Sequence, residues 1–433
     1  MKASVKLLSR LSIIILVLGG YSSGWAEESR PAPLKLEKLI EDALNKNPDV
    51  LAAKSKWEVL RERPPQAGSL DDPMVGLGIT NLPTDTFSFR QEDMTMKEIS
   101  VTQRVPYPGK RPLRSEIAQK EAEAAYSDYD EAKNKIARDV KTAYYDLFYV
   151  NKAIQVTEKN REVLKLLNQI VETKYSVGEG IHTDVFKAQV ELSKMIDELI
   201  MLNQTKRSVK ARINTLLHQP AFAPLGEPEE VSFEKFSAEP EELVKAAMAY
   251  RPLLQSMKRM VERNQVGLKM AERDYYPDFD FKLAYGQRDD GPMGRRADMI
   301  TGMVAINLPL WHKTKQDRKV AESQKDITSA KDQLTAMANE IRFMVSEKLT
   351  DIERAEKQIE LLKTGIIPQA TFSLDSAIAS YRVNKVDFMT MLDSQMTLFK
   401  YEVQYYRLLS EQRKSIAEIE AAVGQSFPEE KKG

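Results

Sequence analysis

Residues 175–192, YSVGEGIHTDVFKAQVEL, return in altered form as residues 381–398, YRVNKVDFMTMLDSQMTL. Four positions are identical at one spacing (381 − 175 = 206), and they include the leading tyrosine of each stretch. Other landmarks lie 203 to 206 residues apart (309 − 106 = 203; 252 − 48 = 204; 425 − 219 = 206): Pro106 and Pro309, Lys110 and Lys313, Pro48 and Pro252, Gln219 and Gln425. We infer an internal duplication across nearly the whole chain.

The bulk composition excludes several classes of protein. The chain has 433 residues with 64 basic and 64 acidic side chains, so no excess of positive charge points to nucleic acid. Cysteine is absent, which excludes disulfides, thiolate metal sites, a cysteine nucleophile and a lipid-bearing cysteine. A charged fraction of 30% beside 42% hydrophobic residues is typical of a folded chain with long solvated faces.

The N-terminus has the pattern of a secretory signal. Lys2, Lys6 and Arg10 precede an apolar run and small residues, and we expect cleavage after Ala26. The alternative is a membrane anchor, but the run is shorter than the about 20 apolar residues that span a bilayer. An exported protein is therefore expected.

Periodicity predicts the same order of elements in both halves. A helix over 35–63 is interrupted at Pro48, and Pro64 and Pro65 are expected to end it. Alternation of apolar and polar residues then predicts two strands in each half, and steps of three and four predict long helices with a coiled-coil seam. The remaining predicted elements are strands 73–82, 97–105, 278–285 and 299–308, and helices 113–175, 182–217, 241–274, 316–380 and 387–423.

Four strands per chain cannot close a barrel, and an open sheet with an apolar face cannot lie in lipid with unpaired edges. Three chains would supply twelve strands, each with an apolar side toward lipid and a polar side toward a lumen. The alternative is a soluble sandwich or a cap on a helical bundle, which leaves the helices of about 95 Å and the export signal without a shared purpose. The predicted division is a signal peptide 1–26, a first repeat 27–218, a connector 219–240, a second repeat 241–425 and a polar tail 426–433.

The layout resembles the TolC family of outer-membrane efflux channels over essentially the whole mature chain. The matching stretches are ALNKNPDVLAA, TQRVPYPGKR, its echo INLPLWHKTK and the paired helical turns. The resemblance implies an α+β membrane protein: a trimeric twelve-stranded outer-membrane barrel in lipid, continued into the periplasm by an antiparallel α-helical coiled-coil tunnel. It also implies a homotrimer that works with a periplasmic adaptor and an inner-membrane pump of the resistance–nodulation–division type.

The resemblance assigns the two turns to the periplasmic end of the tunnel. Val177, Gly178, Val383 and Asn384 are expected to receive the adaptor hairpin. The position after each valine needs a left-handed residue where the chain reverses, and glycine and asparagine suit it. The alternative is a plain helix cap that has no partner.

The same resemblance supplies residues for a gate. Thr183, Asp184 and Tyr381 match its polar latch, and Asp393 matches one of two ring carboxylates; the expected contact is a hydrogen bond from Tyr381 to Asp184. Thr390 stands at the other ring position and Val386 at the latch arginine, so Lys385 or Asp387 is a candidate substitute. Three carboxylates around a three-fold axis would attract cations. An exposed aspartate at an ordinary helix end is the alternative.

Catalysis has little support, because the three histidines (His182, His218 and His312) are scattered and no nucleotide-binding fingerprint occurs. No cofactor and no bound metal are expected. Eighteen methionines raise the question of soft metal ligands, although methionine more often fills gaps in helices; two groups stand out, Met389, Met391 and Met396, and Met293, Met299 and Met303. TQRVPYPGKR resembles the heavy-metal branch of the family. A polypeptide secretion duct and a periplasmic coiled-coil scaffold stay open as alternatives.

Overall fold

The computed structural model describes residues 33–427. The expected signal peptide 1–26 and all but the first two residues of the expected tail 426–433 lie outside this range. Three short helices come first: α1 (Leu36–Lys46), α2 (Pro48–Arg61) and α3 (Arg63–Gly68). The prediction that Pro64 and Pro65 end the helical region is wrong. They lie in the first turn of α3, where a missing backbone N–H costs no intrahelical bond.

Two strands and a long helical hairpin follow. They are β1 (Met74–Thr80), β2 (Met96–Val105), α4 (Lys110–Ser176) and α5 (His182–Leu216). With 67 residues, α4 is about 100 Å long. The predicted elements are confirmed, and α4 begins three residues before the predicted start at 113.

The second half repeats this order. Its elements are α6 (Pro240–Tyr250), α7 (Pro252–Arg273), β3 (Phe279–Gln287), β4 (Met299–Ile306), α8 (Gln316–Leu361), α9 (Ile367–Arg382) and α10 (Phe388–Val423). The helix predicted over 316–380 is interrupted by one π-helical turn, Leu362–Ile366. Pro368 explains the interruption, since it has no N–H to donate to residue 364 and its ring would clash with that carbonyl.

The four strands form one antiparallel sheet in the order β1-β2-β3-β4. Its centre joins the two repeats, with Val101 of β2 opposite Leu283 of β3. β1 and β4 are left as the two edges. A sheet assembled from both halves requires the repeats to fold as one unit.

The two faces of the sheet differ in chemistry. On one face, Leu77, Ile99 and Tyr285 lie side by side across three strands and are 83%, 47% and 44% exposed. On the other face, Lys282 pairs with Glu98 at 2.7 Å, and Arg104 pairs with Asp280 at 3.0 Å. The apolar and polar sides predicted from alternation are therefore present.

The core runs along the helices as a series of apolar clusters. Small residues let α4 and α7 approach closely, and α4 buries Ala118, Ala122, Ala124 and Ala125. A second cluster lies beneath the two helical turns and contains Leu164, Val171, Val185, Phe388 and Met391. Among residues 33–427, no helix has an apolar stretch long enough to cross a bilayer.

Candidate functional site

The two helical turns have the same backbone geometry. Gly178, between α4 and α5, has φ +77°, and Asn384, between α9 and α10, has φ +58°. In each turn the residue after the left-handed one donates its N–H to the carbonyl five residues earlier: Glu179 to Lys174 O and Lys385 to Ser380 O, both at 2.9 Å. The left-handed conformation predicted for both positions is confirmed. It satisfies carbonyls that the helix ends leave free.

Apolar side chains lie at the surface of both turns. Val177 is 66% exposed and Val383 is 63% exposed, each directly before its left-handed residue. Close to the first turn, His182 stacks between Tyr175 (4.8 Å) and Phe186 (4.4 Å), measured between ring centroids. These groups give the turns a surface that can pack against another protein.

Tyr381, the predicted latch tyrosine, is buried. Its side chain is 6% exposed, and its ring centroid lies 6.1 Å from that of Phe388. Burial raises the pKa of Tyr381, and the negative charge of Asp184 raises it further. Asp184 is therefore close enough to act on the phenol electrostatically. Among the described hydrogen bonds of residues 33–427, however, none joins Tyr381 to Asp184 or to Thr183, which is exposed.

Asp184 lies in the first turn of α5 and is half-buried. Burial raises the pKa of its carboxyl group; Lys187 lowers this pKa, and the charge of Asp387 raises it. The carboxylate is thus held in surroundings that do not fully compensate its charge. A donor from another subunit would stabilise it.

Lys174 is a functional candidate that the sequence did not indicate. It lies in the last turn of α4, and its Nζ donates to the carbonyl oxygen of Tyr381 at 2.9 Å and to Oδ1 of Asn384. The same ammonium lies 4.6 Å from the centroid of the Tyr381 ring. Its counterpart in the second repeat is Ser380 (380 − 174 = 206), so no repeated pattern drew attention to it. The only available signal was a positive charge near a helix C-terminus.

Asp387 and Lys385, the candidate substitutes for the latch arginine, have local roles in the second turn. Asp387 caps α10: its Oδ1 accepts from the hydroxyl of Thr390 at 2.6 Å and from the Thr390 N–H at 2.8 Å. These bonds lower the pKa of Asp387. Lys385 is exposed and contributes its backbone N–H to the turn. Lys174, in contrast, makes side-chain hydrogen bonds from the first turn to the second.

The predicted ring position and the missing arginine position differ in surroundings. Asp393 is exposed on α10, next to buried Leu392. Val386 is partly buried and packs on the cluster beneath the turns. An apolar contact thus occupies the position that the sequence analysis matched to the latch arginine.

The methionines near the second turn have packing roles. Met391 is fully buried, and Met396 packs on the same cluster, whereas Met389 is 41% exposed. In the outer group, Met293 is fully exposed and the other two lie on β4. Within residues 33–427, no group of three or more histidine, aspartate or glutamate side chains is placed to hold a metal ion.

Comparison with known proteins places the chain among outer-membrane channels. The profile of the outer membrane efflux proteins matches residues 39–217. The cobalt-zinc-cadmium resistance protein CzcC of Cupriavidus metallidurans is 22% identical over 400 residues, which cover 90% of each chain. The outer membrane protein VceC of Vibrio cholerae has a TM-score of 0.77 at 17% identity, covering 91% of this chain and 97% of its own. CusC has a TM-score of 0.74 at 13% identity, covering 91% and 93%.

These matches confirm the predicted fold class. The four-stranded sheet is one subunit's share of a trimeric twelve-stranded barrel, and the long hairpins belong to the helical tunnel that continues it. Outer-membrane channels of tripartite pumps are typically trimeric, and the family consists of transport channels and not of enzymes. Over residues 39–217 the chain matches the outer membrane efflux proteins, and this match together with the shared fold supports an outer-membrane efflux channel, with its sheet in the outer membrane and its helical tunnel in the periplasm.

Proposed function

We propose that this channel exports heavy-metal cations. The observation that carries the proposal is the similarity to a cobalt-zinc-cadmium resistance protein over 90% of both chains. The exposed carboxylate of Asp393 fits this cargo, because three copies around the tunnel axis would lower the energy of a passing cation. The cations pass through as substrate, and no resident metal is required.

The proposed partners are a periplasmic adaptor and a proton-driven inner-membrane pump of the resistance–nodulation–division type. The exposed Val177 and Val383 support an adaptor contact at the turns, since exposed apolar groups beside a fixed turn mark an interaction surface. Gly178 and Asn384 hold those valines in place through their left-handed backbone.

The proposed gate has contacts within and between subunits. Within a subunit, Lys174 ties the first turn to the second through Tyr381 and Asn384. Between subunits, Asp184 accepts a hydrogen bond from a neighbouring turn, with Thr183 and Tyr381 as the candidate donors. Such a charge-assisted bond contributes about 1.5–3 kcal/mol. Three copies would keep the tunnel narrow until adaptor binding opposes them.

The cargo is tested by deletion in the host followed by a sensitivity panel. Strains with and without the gene are grown with cobalt, zinc, cadmium, copper and silver salts, and with dyes and antibiotics as a second panel. We expect greater sensitivity to one or more metals, restored by the wild-type gene. Unchanged metal tolerance together with loss of a secreted polypeptide would contradict the metal cargo and favour a secretion duct.

A further inference from the structure

We infer the strand register at which one subunit joins the next: Ile306 of β4 lies opposite Ile79 of β1 in the neighbouring copy. The inference concerns assembly of the barrel and does not depend on the cargo proposed above. It uses the junction between the two repeats inside one chain as a template for the junction between two chains.

The template is the pairing of β2 with β3. This pair joins the end of the first repeat's hairpin to the start of the second repeat's hairpin, and Val101 faces Leu283. In a closed ring, β4 of one copy must meet β1 of the next, which again joins the end of one hairpin to the start of another. The two junctions are therefore equivalent by the internal duplication.

The first step matches β1 with β3. Pro73 and Pro277 stand directly before the first alternating residues of the two strands (277 − 73 = 204). The same offset matches Val75 with Phe279 and Ile79 with Leu283, all on the apolar face of the sheet. Ile79 is thus the counterpart of Leu283.

The second step matches β2 with β4 through the observed registers. Val75 pairs with Val101 in the first hairpin, and Phe279 pairs with Ile306 in the second. Because Val75 and Phe279 are counterparts, Ile306 is the counterpart of Val101. The pair Val101–Leu283 within a chain therefore becomes Ile306–Ile79 between chains, and the next apolar pair is Leu308 with Leu77.

Exposure supports this edge as a pairing site. Ile79 and Ile306 are 55% and 51% exposed, and Leu308, just beyond β4, is 59% exposed. Within residues 33–427, neither β1 nor β4 has a strand on its outer side. An unpaired apolar edge is a template for another strand, and a second copy of this chain offers the complementary edge.

A rival register follows if Pro106 and Pro309 are taken as counterparts instead. Ile306 would then match Gln103, which pairs with Phe281, and Ile306 would lie opposite Leu77 of the neighbouring copy. That match passes through connections of unequal length, because four residues separate β2 from α4 (106–109) whereas nine separate β4 from α8 (307–315). Loop length does not constrain the pairing of the strands before it. The observed hairpin registers are the better guide.

Cysteine cross-linking tests the register, and the chain has no cysteine of its own to interfere. The test variant is Ile79→Cys with Ile306→Cys. We expect mild oxidation of outer membranes with diamide to yield a covalent trimer on a denaturing, non-reducing gel. Directly opposite residues lie within the Cα separation of about 4.4–6.8 Å that a disulfide needs, whereas diagonal neighbours lie about 7–8 Å apart.

Two matched variants complete the experiment. Val101→Cys with Leu283→Cys has the same geometry within one chain and should close an intramolecular disulfide without a covalent trimer. Leu77→Cys with Ile306→Cys represents the rival register and should cross-link poorly. A covalent trimer from this rival pair alone, or equal trimer from both pairs, would overturn the inferred register.

Folding is checked separately by the heat-modifiable trimer band of each variant in unoxidised membranes. If that band forms and the internal control closes, failure of the Ile79/Ile306 pair to cross-link also overturns the inference.

Discussion

The ammonium of Lys174 donates to the carbonyl oxygen of Tyr381 at 2.9 Å and so joins the two helical hairpins of a subunit at their tips. The carbonyl belongs to the last turn of α9, and it also accepts from the backbone N–H of Asn384 at 3.2 Å. The ammonium also lies 4.6 Å from the ring centroid of Tyr381. One lysine thus contacts both the helix end and the ring of the predicted latch tyrosine.

Lys174→Met is expected to increase single-channel conductance in planar bilayers. The methionine keeps the apolar stem but removes a charged hydrogen bond and a cation–π contact, about 2–4 kcal/mol together. Lys165→Met is the matched control, since Lys165 lies on the same helix and pairs with Glu162 at the surface. Equal conductance in the Lys174 variant and the wild type would contradict a role for this tie in the gate.

Tyr381→Phe combined with Asp184→Ala is also expected to raise conductance, because together they remove the hydroxyl donor and the carboxylate of the proposed contact between subunits. The phenylalanine keeps the ring that packs against Phe388. Tyr175→Phe is the control, because Tyr175 is the repeat counterpart and stacks on His182 at the first turn. An unchanged double variant would count against the latch.

Asp393→Asn is expected to weaken cation selectivity. Removal of three like charges from one level of the tunnel removes the attraction that favours cations there. The measurement is the reversal potential across a salt gradient. Asp197→Asn, which removes an exposed carboxylate from α5, is the control and should leave the potential unchanged. A shift of the same size in both variants would mean that Asp393 has no special position.

The stability of the first turn should depend on pH through Asp184. Its pKa is raised above the ordinary 3.8 by burial. Ionisation therefore opposes the folded turn: the penalty is absent below pH 3.8, develops as pH rises through the window up to the raised pKa, and is complete above it. In a subunit separated from its neighbours, where no donor from another turn reaches the carboxylate, Asp184→Asn should accordingly slow hydrogen exchange of the turn at pH 7, after correction for intrinsic rates.

Asp387→Ala is expected to have the opposite effect on hydrogen exchange, in the second turn. The pKa of Asp387 is lowered, so its capping bond stabilises the second turn at neutral pH and is lost as pH falls through the lowered pKa. This variant should exchange faster than the wild type at pH 7. Slower exchange in both variants would contradict the assigned causes.

Lys110→Met is expected to lower the temperature at which the trimer dissociates. The Lys110 side chain is 4% exposed and its Nζ contacts Asp278 at 2.8 Å and Tyr276 O at 3.0 Å, so its loss costs about 1.5–3 kcal/mol per subunit. Lys313→Met is the control, because Lys313 is exposed. The measurement is trimer survival on semi-denaturing gels after heating. Equal melting of the two variants would contradict a stabilising role for Lys110.

Most of the fold could be predicted from local sequence patterns. Alternation in β1 to β4 and steps of three and four in α4 were sufficient to predict strands, helices and their apolar faces, because these depend only on neighbours along the chain. The π-helical turn before Pro368 and the helical course of Pro64 and Pro65 were missed. Pro64 and Pro65 were recognised as a constraint, but they lie inside the first turn of α3, where proline is tolerated. The helix predicted over 316–380 took no account of Pro368.

Less of the candidate site could be predicted from the sequence. Gly178 and Asn384 were predicted because left-handed backbone restricts residue type. Lys174 was missed since its partners, Tyr381 and Asn384, lie 207 and 210 positions away (381 − 174; 384 − 174). No local pattern reports such a contact.

The sequence by itself determined that this chain is a duplicated unit of short strands and long helices, because hydrophobic periodicity and turn formation depend on residues that are close together along the chain. Only the tertiary structure decided that β2 pairs with β3, that Tyr381 is buried and that Lys174 reaches it. Those features depend on which residues from distant parts of the chain meet, and that is set by packing of the whole molecule.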